Sequence, residues 1–206
     1  MKEASEKNSH SSVLSSLIDE MMIEGDVSYN QIDAVAVSSG PGSYTGLRIG
    51  VSTAKGLCYA LDKPLIAVET LESMAAGAIE KHLDYNGLFC PMIDARRMEV
   101  YSQIFDKQMN VQKKVSADII EQGSYSAYFN SESILFFGDG AEKVQPFFDK
   151  EPKAFFDLDF SPSSQYMRHL AEQKYQQGDF EDVAYFEPFY LKDFIAGKPS
   201  VKGLYS

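Results

Sequence analysis

The stretch SSGPGSYTGLRIGVSTAKG, from Ser38 to Gly56, decides how the first half of this chain is interpreted. It follows the apolar run at 34–37, which predicts a short buried strand, and it leads into a predicted helix that ends near Leu61. Glycine-rich turns between a strand and a helix often hold phosphate. The question is whether these glycines bind a nucleotide or serve packing.

The glycine spacing fits neither of the common phosphate loops. A Walker A loop needs G-x-x-x-x-G-K-[ST], but Thr45 stands where its second glycine belongs. The dinucleotide fingerprint needs G-x-G-x-x-G, and here the third glycine, Gly46, comes one place late. Pro41 also lacks the N–H that could face an anion. The helix start behind Ser43 stays electropositive, so weak anion binding remains open.

The helix that follows has an unusually wide apolar side. At about 100° per residue, its small and apolar residues cover an arc of roughly 220°, against about 100° for a helix that buries one side. Gly46 and Gly50 each cost about 1 kcal/mol relative to alanine in a helix interior, which favours a role in close packing. Two interpretations stay open: packing against the sheet of the same domain, or contact with a second helix in this chain or a partner.

The rest of the chain alternates between helix and strand patterns. A first helix has apolar residues at i, i+3, i+4 and i+7 and ends at Gly25. Strands are predicted at 65–68 and 109–115, and around the segments LFCPMIDA, MEVYSQIF, ILFFGDG and FFDLDF. Thr70 is predicted to cap a third helix reaching about His82, Ser116 to start a short helix, and 165–177 to form the last one.

Both halves share the order strand, Gly-x-Gly turn, helix, strand, helix. The turns are Gly40-Pro41-Gly42 and Gly138-Asp139-Gly140. This predicts two duplicated α/β domains, at 1–86 and 87–181, followed by a tail at 182–206. The second half has strands before its first helix and the first half does not, so we expect the first domain to be incomplete. The aromatic tail residues are expected to cover apolar surface: Tyr185, Phe186, Phe189, Tyr190 and Phe194.

Composition narrows the class of protein. The 206 residues carry a net charge of −11, which disfavours direct tight binding to nucleic acid, and 44% are hydrophobic. The two cysteines have no metal or redox spacing. The polar N-terminus and the lack of an apolar run of about 18 residues predict a cytoplasmic protein with no membrane contact.

No set of side chains predicts a catalytic or metal site. Among the histidines, none has a second His or Cys at ligand spacing, so we expect no metal and no cofactor. His10 beside Ser11 has no third, orienting group. Asp94 near Arg96 and Arg97 could bind a charged ligand, although an ion pair within the hairpin turn explains it more simply.

The residues of several segments resemble one family. SGPGSYTGLRIGVSTAKGLCYALDKPLIAVETLESMA, with NSHSSVLSSLIDEMM, MIDARRMEVYSQIF, FFGDGAEK and PFYLKD, is similar to the TsaB (YeaZ) family of bacterial tRNA-modification proteins. The resemblance spans nearly the whole chain. It implies an actin-like (ASKHA, RNase H-like) duplicated α/β fold. The family opens with three strands that have no counterpart here, so we expect the first domain to keep two strands and an open, aggregation-prone edge.

The resemblance also implies a function. Such a protein is a non-catalytic scaffold that activates the subunit TsaD, with the ATPase TsaE, in installing threonylcarbamoyl on adenosine 37 of tRNAs. It pairs with TsaD, or with itself when alone, through helices at 11–22 and 44–61, and meets tRNA only indirectly. The implied interface residues are His10, Leu14, Leu17, Ile18, Met21, Tyr44, Gly46, Leu47, Gly50, Val51, Ala54, Leu57 and Cys58. The alternative is an independent ASKHA-type kinase or ATPase; a peptidase is a third, weaker hypothesis.

Overall fold

The computed structural model of this protein describes residues 1–3 and 10–192, and only the backbone of residues 10–12. In that part of the chain helices and strands alternate as predicted. The helices are α1 (His10–Glu24), α2 (Tyr44–Leu61), α3 (Thr70–Lys81), α4 (Ser126–Phe129), α5 (Ala141–Val144) and α6 (Arg168–Gln177). The strands are β1 (Val35–Gly40), β2 (Leu65–Glu69), β3 (Leu88–Asp94), β4 (Glu99–Phe105), β5 (Val111–Ile119), β6 (Ile134–Phe137) and β7 (Ala154–Asp157).

The first sheet is a parallel pair, β1 and β2, in register from Val35 opposite Leu65 to Ser38 opposite Val68. Val35 N donates to the carbonyl of Pro64 at 3.0 Å. Because hydrogen-bonding direction alternates along a strand, the backbone groups of Ala36 face the other edge of β1. Among the described residues, β1 has a strand neighbour on one side only.

Helix α2 connects these two strands and lies on the sheet they form. It begins at the N-cap Ser43, whose Oγ accepts from Gly46 N at 3.4 Å, and ends at Asp62 in the left-handed conformation. Its four buried residues recur at i, i+4, i+7 and i+11, so they form one stripe. Val51, Ala54 and Cys58 of that stripe pack in the cluster that includes Val37 and Leu65, and Leu47 lies beside the Gly40–Gly42 turn.

The second sheet has the strand order β5–β4–β3–β6–β7. Strands β3, β4 and β5 form an antiparallel meander, and β3, β6 and β7 run parallel. The predicted hairpin is confirmed, and both Arg96 (φ 70°) and Arg97 (φ 51°) adopt positive φ in its turn. One face is filled by aromatic packing, with the rings of Phe136 and Phe148 stacked at 5.0 Å.

Two local predictions are wrong. Ser116 does not start a helix, because residues 111–119 pair along β4 and Ser116 stands opposite Ser102. Thr70 does not cap α3: it is the first helical residue, Glu69 holds the cap position, and the Thr70 hydroxyl lies 2.6 Å from that of Ser38. In both cases a contact distant in sequence overrides a local preference.

Each sheet packs against a helix from the other half of the sequence. Helix α3 follows the first sheet in the chain, yet Leu71, Met74 and Ala78 pack against the second sheet. Helix α6, from the second half of the chain, lies against β2, with Leu170 and Ala171 beside the cluster that contains Ile66 and Val68. Each sheet therefore depends on a helix from the opposite half of the sequence. The domain boundaries at 86 and 181 stay a prediction, and the packing crosses the first of them.

No helix among the described residues combines the length and the apolar character needed to cross a membrane.

Candidate partner-binding surface

Helix α1 presents an apolar side that this chain covers only in part. It contacts α2. Of its described apolar side chains, Met22 is buried, whereas Val13, Leu14, Leu17 and Ile18 are half-buried. A helix with four partly exposed apolar residues on one side has room for a further partner.

Met21 extends this apolar side and is 43% exposed. Ile23 is 79% exposed, but it lies about 200° further round the helix and so points away from the Leu14–Met21 side. The two residues therefore distinguish the candidate surface from the back of the same helix. The side chain of His10 lies outside the described residues.

Four of the predicted interface residues on α2 lie inside this chain: Leu47, Val51, Ala54 and Cys58. They form the stripe that packs on the first sheet, so they cannot touch a partner while that core is intact. The other four, Tyr44, Gly46, Gly50 and Leu57, are half-buried beside the stripe. The sequence pattern joined both sets because they are continuous on a helical wheel.

The glycines of α2 meet atoms of this chain only at ordinary distances, and the close contact with a partner helix expected of them stays a prediction. A Cβ atom on Gly50 would lie 3.7 Å from Cγ2 of Val37 in β1. On Gly46 it would lie 3.5 Å from Cβ of Ser43. Both are ordinary van der Waals distances to atoms of this chain, so each position has space for a methyl group.

Residues 181–192, which we call the C-terminal strap, cover the side of α2 that lies across the buried stripe from Gly46, Gly50 and Leu57. The ammonium of Lys55 donates to the carbonyls of Ala184 (3.2 Å) and Phe186 (2.9 Å). The rings of Tyr44 and Tyr190 lie 5.0 Å apart. The tail thus covers apolar surface as predicted, through Phe186 and Tyr190, whereas Tyr185 is 84% exposed. Phe194 lies outside the described residues.

The two Gly-x-Gly turns both meet backbone atoms of this chain. Gly40 has φ +117°, and a Cβ atom there would lie 2.6 Å from the carbonyl oxygen of Phe189 in the strap. Gly138 has φ +96°, and its Cβ would overlap the carbonyl oxygen of Met92 in β3. Positive φ and close backbone approach explain the first glycine of each turn, Gly40 and Gly138, without a phosphate.

The charged residues considered as ligands or catalysts are engaged within the fold. Asp94 pairs with Lys143, not with the hairpin arginines, and accepts from the backbone N of Arg96 at 2.8 Å. Burial disfavours its charge, but the bonds from Lys143 and Arg96 outweigh burial and lower its pKa. Among the residues that the structure describes, no group of three or more His, Cys, Asp or Glu side chains has the arrangement of a metal site.

A half-buried polar network lies on the inner face of the second sheet. Asp118 Oδ2 accepts from Ser102 Oγ (2.5 Å), Tyr125 OH (2.7 Å) and Lys113 Nζ (2.8 Å), and Oδ1 accepts from Ser116 Oγ (2.7 Å). Burial disfavours the carboxylate, but these four donors outweigh it and lower the pKa of Asp118. The network joins β4, β5 and the residue before α4, so its role is structural.

The fold defines the class of protein first. Two solved YeaZ-related structures from Pseudomonas aeruginosa share it. The one described as YeaZ superposes with a TM-score of 0.75 at 24% identity, over 89% of this chain and 85% of that one. The other, described as an uncharacterized protein with similarity to peptidase YeaZ, gives 0.73 at 23% identity, over 90% and 85%. This is the actin-like α/β fold.

Sequence comparison then gives the family. A family model described as "TsaD: tRNA N6-adenosine threonylcarbamoyltransferase" matches residues 3–185. The chain is 29% identical over 201 residues to the tRNA threonylcarbamoyladenosine biosynthesis protein TsaB of Haemophilus influenzae, covering 93% of this chain and 84% of that protein. It is 27% identical to TsaB of Escherichia coli, over 92% and 83%. The chain belongs to the family that this model describes, in its TsaB (YeaZ) group.

Proposed function

We propose that this chain is a non-catalytic subunit of the machinery that installs threonylcarbamoyl on adenosine 37 of tRNAs. In it, the chain binds and activates TsaD through α1 and the exposed part of α2, with TsaE as the third component. Alone, the chain pairs with a second copy through the same surface, and it meets tRNA only indirectly. The observation that carries the proposal is the half-covered apolar side of α1, in a chain whose relatives are named for this biosynthesis.

The engaged charges support an accessory role. Asp94, Asp118 and Asp157 each accept from a lysine of the same chain, so these carboxylates act as structural acceptors. The refined interface keeps Leu14, Leu17, Ile18 and Met21 on α1 with Gly46, Gly50 and Leu57 of α2, and it leaves out Tyr44, which lies on the flank that the strap covers. The buried stripe of α2 packs inside this chain and so holds α2 in position for this surface.

The test is co-purification of this chain with TsaD, combined with reconstituted tRNA modification with and without the chain. Met21→Arg places a charge on the candidate surface and is expected to weaken TsaD binding by at least about tenfold. Ile23→Arg adds the same charge on the back of α1 and serves as the matched control. Equal TsaD binding by both variants and the unmodified chain would exclude this surface.

The alternative, an independent ATP-dependent kinase or ATPase, is tested by calorimetry of the isolated chain with ATP and magnesium. Tight stoichiometric binding would favour that function.

Sedimentation of Met21→Arg tests the homodimer, because this variant is expected to be monomeric at concentrations where Ile23→Arg is dimeric.

A further inference from the structure

The C-terminal strap joins parts of the chain that are distant from one another. Glu181 N donates to the carbonyl of Leu65 at 2.9 Å, at the start of β2. Phe189 N donates to the carbonyl of Ser39 at 2.8 Å, at the end of β1. The strap therefore spans the first sheet from one end to the other.

The middle of the strap is held by α2. Lys55 donates to two strap carbonyls, at 3.2 and 2.9 Å, and hydrogen bonds from a charged donor are stronger than neutral ones. Val183 and Phe186 pack against the cluster that contains Val51 and Cys58 of α2. The strap is thus fixed both by its backbone and by its apolar side chains.

The far end of the strap reaches the second sheet. Tyr190 packs on Tyr44, the first residue of α2, and Lys192 forms an ion pair with Glu99 at the start of β4. The start of α2 is connected in this way to a strand of the other sheet.

We propose that the C-terminal strap is a conformational device that fixes the start of α2 and couples it to the second sheet. The close contact of Gly40 with the strap carbonyl of Phe189 is part of this device, so two segments far apart in the sequence, SGPGSYTG and PFYLK, form one contact. This inference concerns the isolated chain and goes beyond the proposed role in tRNA modification.

The test is hydrogen exchange of the full chain, comparing Lys55→Met with Lys63→Met. Lys55→Met keeps the aliphatic stem and removes both hydrogen bonds to the strap. Lys63→Met is the control, because Lys63 follows the same helix and makes no side-chain bond to the strap within the part of the chain that the structure describes. We expect Lys55→Met to raise exchange about tenfold at the amides of Glu181 and Phe189 and in the first two turns of α2, while α3 is unchanged.

Lys192→Met tests the other end. This variant is expected to raise hydrogen exchange at Phe189 and at the start of α2, although the side chain of Lys192 pairs with Glu99 and bonds to neither of them. Faster exchange confined to the strap would overturn the proposal, since the strap would then be a passive cover, and so would unchanged exchange in both variants. If Lys55→Met does not fold, Tyr190→Ala, which removes the ring on Tyr44, is held to the same two outcomes.

Discussion

A Cβ atom on Gly40 would lie 2.6 Å from the carbonyl oxygen of Phe189, so the backbones of the C-terminal strap and of the end of β1 lie too close for any side chain at this position. Its φ of +117° is itself unfavourable for any side chain. The turn that resembles a phosphate loop in sequence is in this way a backbone contact within the chain.

The first prediction follows from this contact. Gly40→Ala is expected to lower the free energy of unfolding by about 2–4 kcal/mol, because it adds both backbone strain and a clash with the strap. Gly56→Ala is the matched control: Gly56 lies inside α2, and no described residue beyond its own helix turn comes within 4 Å of its Cβ position, so alanine should stabilise by about 0.5–1 kcal/mol. Urea unfolding measures both, and equal effects would contradict the strap contact.

The second prediction concerns Asp118. Its pKa is lowered in the folded state, so its contribution is present above the unfolded pKa of about 4 and is lost as the pH falls through the folded pKa. Asp118→Asn should therefore cost about 2–3 kcal/mol at neutral pH, and the difference from the unmodified chain should shrink below about pH 4. Unfolding curves across this range test it, with the exposed Asp149→Asn as a variant expected to change little. A constant difference at all pH values would mean that the carboxylate charge does not matter.

Glu72 gives a prediction of opposite sign. Burial, together with the nearby charge of Glu69, raises its pKa in the folded protein. The charge of Glu72 then opposes folding at neutral pH, and this disadvantage disappears as the carboxyl is protonated. Glu72→Gln is expected to raise the free energy of unfolding at pH 7 by up to about 1 kcal/mol, with no gain below about pH 4. The exposed Glu172→Gln is the comparison, and destabilisation by Glu72→Gln at pH 7 would refute the assignment.

The edge of β1 that has no strand neighbour among the described residues yields the fourth prediction. The backbone N–H of Ala36 faces away from β2, and an unpaired edge of this kind promotes association. Ala36→Pro removes that donor and is expected to slow concentration-dependent aggregation, measured by light scattering. Val37→Pro instead removes a donor that faces β2 and should unfold the first sheet. If Ala36→Pro aggregates at the rate of the unmodified chain, the edge of β1 is not the surface through which the chain associates.

Much of the secondary structure could be predicted from local pattern. The hairpin at Arg96 and Arg97 and the extent of α2 follow from turn residues and apolar periodicity, which act over a few residues. The local pattern predicts a helix start at Ser116 because it does not contain the strand partner of this residue, Ser102 on β4. The strand is stabilised by pairing with a neighbour, and pairing is not a local property.

The candidate surface could be predicted only as two helices, not as a set of exposed residues. The helical wheel of α2 shows one wide apolar arc, but it cannot show that Val51 meets β1 or that Lys55 lies under the strap. Those assignments depend on segments that are distant in sequence. For the same reason, the local pattern does not show the role of Gly40, which contacts the carbonyl of Phe189 in the tail.

Because each sheet packs against a helix from the other half of the chain, the order of translation affects how this chain folds. Ile66 and Val68 are covered by Met167 and its neighbours in α6, which are synthesised on the order of a hundred residues later, or about 5–20 seconds at about 5–20 residues per second. Until then one face of the first sheet stays bare. The packing of the N-terminal half therefore cannot be completed until α6 has been synthesised.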